Sequence, residues 1–372
     1  MGDFPYPSIL FHMDLELNPF KPDQGCGLPR WKVGTSRSRR STCSSREAND
    51  ATTTGGMVLS GLRGVGKTTL LNTLAEHADR EGWLTIGIEA RPNAAGTAAV
   101  RAKLGQELTV GLRRYSRKHK LQKLIDPPLI ELARGFSVEI GLGPATVNVG
   151  TSQPAASSGD IDLDIEELVE AITSALKPRG GSAFGLFIDE MQDLDADLLS
   201  ALLTVQHRAS QREWPFFLIG AGLPNLPAIL AENRSYAERQ FLYSTVGPPL
   251  DRDAAADALR IPVRQHGGDF TDDALDVLVT ASGGYPYFLQ EFGKAIWNLA
   301  PEAPFQTEDA ELAVEVGRRH LDEGFFPSRW NRATDRERRY LTALAATGED
   351  APRSGKVAEL MGGEHERCQR RP

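Results

Sequence analysis

Residues 61–68 have the types and spacing that bind phosphate groups. They read GLRGVGKT and follow the apolar run 57–59, which gives the order strand, GxxxxGK[ST], helix of a phosphate-binding loop. Glycines let the backbone curl so that several N–H groups point at one anion, and the start of a helix adds partial positive charge. The predicted phosphate contacts are Gly61, Leu62, Arg63, Gly64, Val65, Gly66, Lys67, Thr68 and Thr69.

Two side chains of this loop have specific chemistry. Lys67 is expected to reach the β- and γ-phosphates of a nucleotide, and the Thr68 hydroxyl to bind Mg²⁺. The alternative is a flexible glycine turn before a helix, which accounts for the glycines but not for the flanking order.

A second acidic site is needed to hold the metal and orient water, and FGLFIDE at 184–190 supplies it. Asp189 at the strand end can hold Mg²⁺ through water, and Glu190 can act as general base on the attacking water. Alternatively, both acids cap the next helix. Gln192 and Asp193 are interpreted as polar residues at a helix start rather than as catalysts.

Charge that develops on the γ-phosphate favours an additional cation, often from a neighbouring subunit. Arg234 and Arg239 in NRSYAERQF follow the apolar segment WPFFLI and are candidates, although a surface salt bridge is an equal alternative for either. Asn225 is a candidate polar sensor at the end of that segment.

Strands and helices alternate around these motifs. Predicted strands lie at 57–60, 83–90, 184–188 and 214–219, and predicted helices at 67–79, 99–124, 161–176 and 198–210, the third capped by Asp160. Near-continuous apolar strands between helices indicate a parallel sheet covered on both faces. Residues 136–149 suggest a hairpin. The fold class is therefore α/β, an αβα sandwich.

The strand signal fades after about residue 246. Helices are predicted at 251–265, 271–281, 286–299 and 307–323, followed by two short ones at 334–347 and 354–361. The predicted organisation is a leader at 1–25, a disordered segment at 26–55, a phosphate-loop domain at 56–246, an all-helical second domain at 247–325 and a carboxy-terminal segment with two short helices at 326–372.

Composition and charge limit the partners and the cellular location to expect. The 372 residues carry a net charge of −8, which argues against a surface coated for nucleic acid, although residues 113–123 contain a basic cluster that is read mainly as a solvated face. The three cysteines form no disulfide framework or zinc pattern. No apolar stretch is long enough for a transmembrane helix and the amino terminus does not resemble a secretion signal, so a cytoplasmic location without membrane partners is expected.

The motif series GLRGVGKTTLLNTL, LFIDEMQDL, FLIGAGLPNLP, SYAERQF and SGGYPYFLQEFG resembles that of bacterial AAA+ ATPases related to archaeal-type and origin-recognition-type ATPases, close to the STAND branch. The resemblance covers about residues 56–347 and implies a helical lid and a carboxy-terminal winged helix. It implies that Gly284, Tyr285 and Pro286 lie near adenine and that Arg239 is a trans-acting or sensor arginine. Residues 330–344 and 353–360 resemble the first two winged-helix helices.

Two segments depart from that family pattern. Residues 26–55 are half Arg, Ser and Thr, and the end MGGEHERCQRRP is too short for a recognition helix and wing. Together these departures contain all three cysteines. We hypothesise that 26–55 and 362–372 are out-of-frame translations of an ancestral gene; a genuine linker and a short tail are the alternative.

The leading functional prediction is an ATP-binding, Mg²⁺-dependent ATPase whose hydrolysis drives a conformational switch, with a homo-oligomer and DNA as candidate partners. The alternative is a nucleotide-gated regulatory or DNA-binding switch with very slow turnover. A third interpretation is a degenerate, poorly folding product. A phosphate-loop kinase fits least, because Glu190 directly after Asp189 suits water activation.

Overall fold

The fold was determined as a computed structural model, which describes residue 20 and residues 55–91, 94–138, 160–177, 182–247, 249–349 and 352–361. The predicted disordered segment (26–55, apart from Gly55), the leader apart from Phe20, and the tail at 362–372 lie outside the described residues. None of the described helices is long and apolar enough to cross a membrane.

Five strands form one parallel sheet in the order β2-β3-β4-β1-β5. Their bounds are β1 Gly56–Ser60, β2 Leu84–Glu89, β3 Phe184–Asp189, β4 Phe216–Gly222 and β5 Phe241–Thr245. The first four match the sequence predictions closely. β5 was not predicted; it is an edge strand whose backbone pairs with β1 along its whole length.

Helices surround the sheet. They are α1 Lys67–Arg80, α2 Ala94–His119, α3 Pro127–Val138, α4 Ile161–Leu176, α5 Ala196–Gln211, α6 Leu226–Asn233 and α7 Ala237–Gln240. As predicted, Asp160 caps α4, since its carboxylate accepts the backbone N–H groups of Asp162 and Leu163.

Neighbouring strand residues belong to separate cores, which establishes the three-layer arrangement. Val58 and Ile188 are buried with helices α2, α4 and α5. Leu59 and Phe187 are buried on the opposite face of the sheet with Leu71 of α1. Because successive side chains of a strand point to opposite faces, near-continuous apolar strands are what a sheet covered on both sides requires. The predicted αβα sandwich is thus confirmed.

Two local predictions were wrong. Residues 136–138 continue helix α3 instead of starting a hairpin, and the remainder of the predicted hairpin lies outside the described residues. The long basic helix begins at Ala94 and ends at His119, not 124, because Lys120 adopts a left-handed backbone conformation (φ 56°) that α-helices do not continue.

A second, helical unit follows the sheet. Its helices are α8 Arg252–Gln265, α9 Asp272–Ser282, α10 Pro286–Leu299 and α11 Thr307–His320, with a π-helical turn at Leu321–Phe325. Their core includes Trp297, Phe292 and Phe305, and Phe20 from the amino-terminal region is buried in it as well. A Cβ on Gly293 of α10 would come within 2.6 Å of the Phe20 ring, so this glycine leaves room for that side chain.

Three short helices complete the described chain: α12 Phe326–Arg332, α13 Asp335–Ala346 and α14 Ser354–Leu360. They bury little, since Ala343 and Val357 are their buried apolar side chains among the described residues. The predicted winged helix is not established by these helices, and it stays a prediction.

Candidate nucleotide site

The loop between β1 and α1 has the backbone that its glycines predict. Gly64 and Gly66 have φ values of 82° and 88°, a left-handed conformation that is strained for any residue with a Cβ. Gly66 directly precedes α1, so the loop leads into the amino-terminal end of that helix. Lys67 is buried, and its Nζ donates a hydrogen bond to the Leu62 carbonyl at 3.0 Å across the loop.

The acidic pair lies beside this loop. The Thr68 hydroxyl donates to Asp189 Oδ2 at 2.6 Å. The parallel sheet explains this contact, because β1 and β3 flank β4 and all carboxyl ends of parallel strands lie at the same edge. Burial raises the pKa of the Asp189 carboxyl, and the neighbouring Glu190 charge raises it further, while the hydrogen bonds from Thr68 and the Glu190 N–H lower it.

The Thr68 hydroxyl oxygen and the Asp189 carboxylate oxygen are suitable ligands for a magnesium ion. Hydroxyl and carboxylate oxygens are hard donors of the kind that Mg²⁺ prefers. Among the described residues there is no cluster of three or more His, Cys, Asp or Glu side chains that could hold a metal ion by itself. Magnesium commonly binds through one or two protein oxygens together with substrate phosphates, and the donor set fits that pattern.

Glu190 follows Asp189 in a strained backbone conformation. Its φ is 48° and its N–H donates to Asp189 Oδ1 at 2.9 Å. Gln192 Nε2 donates to Glu190 Oε2 at 2.6 Å, while Gln192 Oε1 accepts the N–H of Leu223 at 3.0 Å. The amide of Gln192 therefore connects the Glu190 carboxylate to the backbone directly after β4.

The helical unit contacts the loop directly. The Tyr285 hydroxyl donates to the Arg63 carbonyl, and the Tyr287 N–H donates to the Gly64 carbonyl at 3.2 Å. A Cβ on Gly64 would lie 3.0 Å from the Tyr287 Cβ. The helical unit thus contacts the loop backbone through one side-chain and one backbone hydrogen bond.

A cavity of about 1360 Å³ opens between these parts. Its lining includes most of the predicted phosphate contacts, together with Glu190 and Pro286: Leu62, Arg63, Gly64, Gly66, Lys67, Thr68 and Thr69. Gly61 and Val65 are buried behind the loop, and the Gly61 N–H donates to the Gly222 carbonyl at 3.1 Å. The volume is sufficient for a nucleotide, since ligand pockets commonly measure about 300–1,000 Å³.

Lys67 lies in a charged environment. Burial lowers the pKa of its ammonium, the carboxylates of Glu190 and Asp189 raise it, and the cations of Arg63 and Arg329 lower it again. An anion bound between these groups would favour the charged form of Lys67.

Three other predicted site residues, Arg239, Arg234 and Asn225, lie outside the cavity lining. Arg239 is exposed on α7 and is not among the residues that line the cavity. Arg234 is half-buried, and its Nη2 donates to Ser200 Oγ at 2.6 Å, which ties it to α5 of the same chain. Asn225 is exposed before α6, also outside the lining.

Comparison with known families agrees with this geometry. Residues 46–219 match the family model described as AAA ATPase domain. The matched range contains both the phosphate-binding loop and the acidic pair.

Residues 323–370 match a second family model, described as a domain of unknown function (DUF8462). This range begins within the π-helical turn and continues through α12, α13 and α14. It also includes residues 362–370, which the frameshift hypothesis assigns to another reading frame, so the match gives that hypothesis no support there. No curated protein sequence matches the chain.

Several solved structures are similar to this chain. The Thermotoga maritima RuvB Holliday junction branch migration motor is 15% identical, with 89% of this chain and 83% of that chain covered and a TM-score of 0.46. Cdc6p from Pyrobaculum aerophilum is 15% identical, with 92% and 82% covered and a TM-score of 0.43. Aeropyrum pernix Orc1, solved in complex with DNA, is 15% identical, with 90% and 78% covered and a TM-score of 0.43. Similarity at this level does not assign a function.

Two features of the candidate nucleotide site were missed in the sequence. Gln192 was interpreted as a polar helix-start residue, yet both ends of its side-chain amide are used at the site. Arg329 and Arg332 line the cavity although they are more than 260 residues from Lys67 in the chain. Nothing in the local pattern around either arginine indicates a phosphate site, whereas the position of Gln192, two residues from the predicted base, was a signal for a role beside that base.

Proposed function

We propose that this chain binds ATP with Mg²⁺ in the cavity and hydrolyses it. The observation that carries the proposal is the 2.6 Å contact between Thr68 and Asp189, with Glu190 lining the same cavity as the phosphate-binding loop. A phosphate loop without acids could only bind; acids at this position add a metal site and a base.

Each proposed role follows from the position of the residue. The loop N–H groups and Lys67 bind the β- and γ-phosphates, and Thr68 and Asp189 hold Mg²⁺, the latter through water. Glu190 accepts the proton of the attacking water. Pro286 and its neighbours on the lid side hold the adenine. Bound Mg²⁺ supplies charge neutralisation on the phosphate oxygens.

Further parts of the proposal concern the assembly. We assign Arg239 the role of a cation donated to a neighbouring subunit, because it is exposed and lies outside its own cavity. The chain then acts as a homo-oligomer, in the cytoplasm, and nucleotide turnover switches the arrangement of lid and sheet. DNA is the proposed client, through the exposed basic residues of α2 or the carboxy-terminal helices.

A second candidate is a nucleotide-gated switch with very slow turnover. The observation that favours it is the hydrogen bond from Gln192 to Glu190 Oε2, which occupies one oxygen of the base. Gln192 thereby limits how the carboxylate can turn toward water, which would slow turnover.

The test is phosphate release from Mg²⁺–ATP, with and without duplex DNA, alongside Lys67→Ala. We expect wild-type turnover that stops when Mg²⁺ is chelated, and nucleotide affinity at least about tenfold weaker in Lys67→Ala because the phosphate cation is lost. Lys177→Ala, at an exposed lysine directly after α4 and outside the cavity lining, is the matched control and should behave as wild type. Tight binding without phosphate release would favour the switch, and no nucleotide binding by wild type would refute both candidates.

A further inference from the structure

The carboxy-terminal helices form one wall of the nucleotide cavity. Beyond the lid, the lining continues through the π-helical turn into α12 and α13, with Gly324, Phe325, Ser328, Arg329, Arg332, Ala333, Glu337, Tyr340 and Leu341. All of these residues fall within the range that matches the domain of unknown function. A segment without an assigned role thus faces the phosphate-binding loop.

This wall carries positive charge. The guanidinium of Arg329 lies over the Phe325 ring at 3.6 Å from its centroid, which fixes the side chain beside the cavity. Burial lowers the pKa of Arg329; the Tyr285 hydroxyl raises it, and the cations of Arg63 and Arg332 lower it further. Arg329 lines the same cavity as Lys67 and Arg63, so three cationic side chains border one space.

The acids that line the cavity already have partners. Glu190 accepts from Gln192, Glu291 Oε1 lies 2.9 Å from His320 Nδ1, and Glu337 accepts from the N–H and hydroxyl of Thr334. Among the described residues, by contrast, neither Arg63 nor Arg329 forms an ion pair with a carboxylate. Facing cations without an anion between them repel, and a polyphosphate would relieve that repulsion.

We propose that Arg329 is a phosphate-binding residue, supplied by the same chain from its carboxy-terminal segment, that contacts the terminal phosphate of bound ATP. This inference rests on the proposed function. The terminal phosphate is the target because Arg329 lines the same cavity as Lys67, which is proposed to bind the β- and γ-phosphates. A guanidinium suits this task, since its planar fork binds phosphate oxygens in pairs.

The consequence is a nucleotide-dependent position for the carboxy-terminal segment. With ATP, the terminal phosphate joins α12 to the phosphate-binding loop; with ADP, that contact is absent and the wall is held only by its limited apolar packing. The domain of unknown function would then report which nucleotide occupies the site.

The test compares affinities for Mg²⁺–ATP and Mg²⁺–ADP in the full chain. Arg329→Met keeps an apolar stem over Phe325 but removes the charge, and we expect ATP affinity to fall about tenfold to a hundredfold, as for a lost charge-assisted hydrogen bond, with ADP affinity changed less than about threefold. Arg329→Lys should recover part of the ATP affinity. Arg336→Met, an exposed arginine of α13 outside the cavity lining, is the control and should match wild type.

A second measurement does not depend on a folded variant. Hydrogen exchange of wild type should be slower over residues 321–346 with a non-hydrolysable ATP analogue than with ADP. An unchanged ratio of ATP to ADP affinity in folded Arg329→Met, or equal exchange with the two nucleotides, would overturn the inference. If wild type binds neither nucleotide, the proposed function fails instead, and the two failures are thereby distinguished.

Discussion

At the scale of single residues, two hydrogen bonds hold Glu190, one at its backbone N–H and one at its carboxylate. Its left-handed backbone, of a kind that costs about 1–3 kcal/mol, is stabilised by the hydrogen bond of its N–H to Asp189 Oδ1. Its carboxylate is held by Gln192. A strained residue that is retained beside a phosphate-binding loop is consistent with a functional constraint on its position.

Replacement of Glu190 by glutamine tests the base directly. Glutamine is similar in size but cannot accept the proton of water, so turnover should fall by at least about a hundredfold while ATP affinity stays near wild type. Phosphate release and nucleotide titration measure the two effects. Asp193→Asn, at the neighbouring carboxylate that does not line the cavity, should keep most of the activity. Undiminished hydrolysis in the glutamine variant would contradict the assigned role.

Replacement of Gln192 by leucine tests how Glu190 is positioned. Leucine is close in volume but removes both the donor to Glu190 and the acceptor for Leu223 N–H. We expect turnover to fall about tenfold with little change in ATP affinity, because the base loses its orientation. A rise in turnover would instead show that Gln192 restrains the base, in agreement with the slow-switch candidate.

At the scale of elements, the turn between α9 and α10 packs against the segment that enters the helical unit before α8. Gly283 and Gly284 both have positive φ, 56° and 71°. The Gly284 carbonyl accepts the Leu250 N–H at 2.9 Å, and a Cβ on Gly284 would lie 2.3 Å from the Leu250 carbonyl oxygen. At Gly283 the space around a Cβ is open.

Replacing each of these two glycines by alanine tests the contact between the turn and Leu250. Gly283→Ala should cost about 1 kcal/mol of unfolding free energy, from backbone strain alone. Gly284→Ala adds a clash with backbone that cannot move aside cheaply, so the total should reach about 3 kcal/mol. Urea denaturation followed by circular dichroism measures both. Equal losses in the two variants would show that the Leu250 contact does not constrain the lid.

At the scale of the whole molecule, one cavity is lined by residues from the sheet domain, the helical unit and the carboxy-terminal helices. The contacts of Tyr285 with Arg63 and of Tyr287 with Gly64 mean that the lid cannot move without changing the surroundings of the phosphate-binding loop. Nucleotide state and the arrangement of domains are therefore expected to be coupled.

The proposed assembly predicts complementation between two inactive variants. Arg239→Ala should lose turnover about a hundredfold, the effect expected of a lost transition-state cation. Mixed in equal amounts with Glu190→Gln, it should recover about a quarter of wild-type activity, because one interface in four pairs an intact base with an intact arginine. Phosphate release measured against mixing ratio checks this. No recovery from two folded, ATP-binding variants would argue against a trans role for Arg239.

The phosphate-binding loop and the acidic pair could be predicted from sequence because each is local. A loop that needs positive φ requires glycines, and a strand covered on both faces requires an apolar run, so both leave a signal within a few residues. The lid helices were predicted for the same reason, since their apolar spacing is close to 3.6 residues. β5 left no such signal, because a short edge strand is defined by its pairing with β1.

By itself, then, the sequence determined the fold class, the phosphate-binding loop and the residues that follow β3. The tertiary structure alone decided which strand ends meet, that the Gln192 side chain bridges Glu190 and Leu223, and that Arg329 lines the same cavity as Lys67. The physical reason is that these are contacts between segments separated along the chain. Their energies depend on burial and on charges that packing brings together, and no spacing of residues within one segment encodes them.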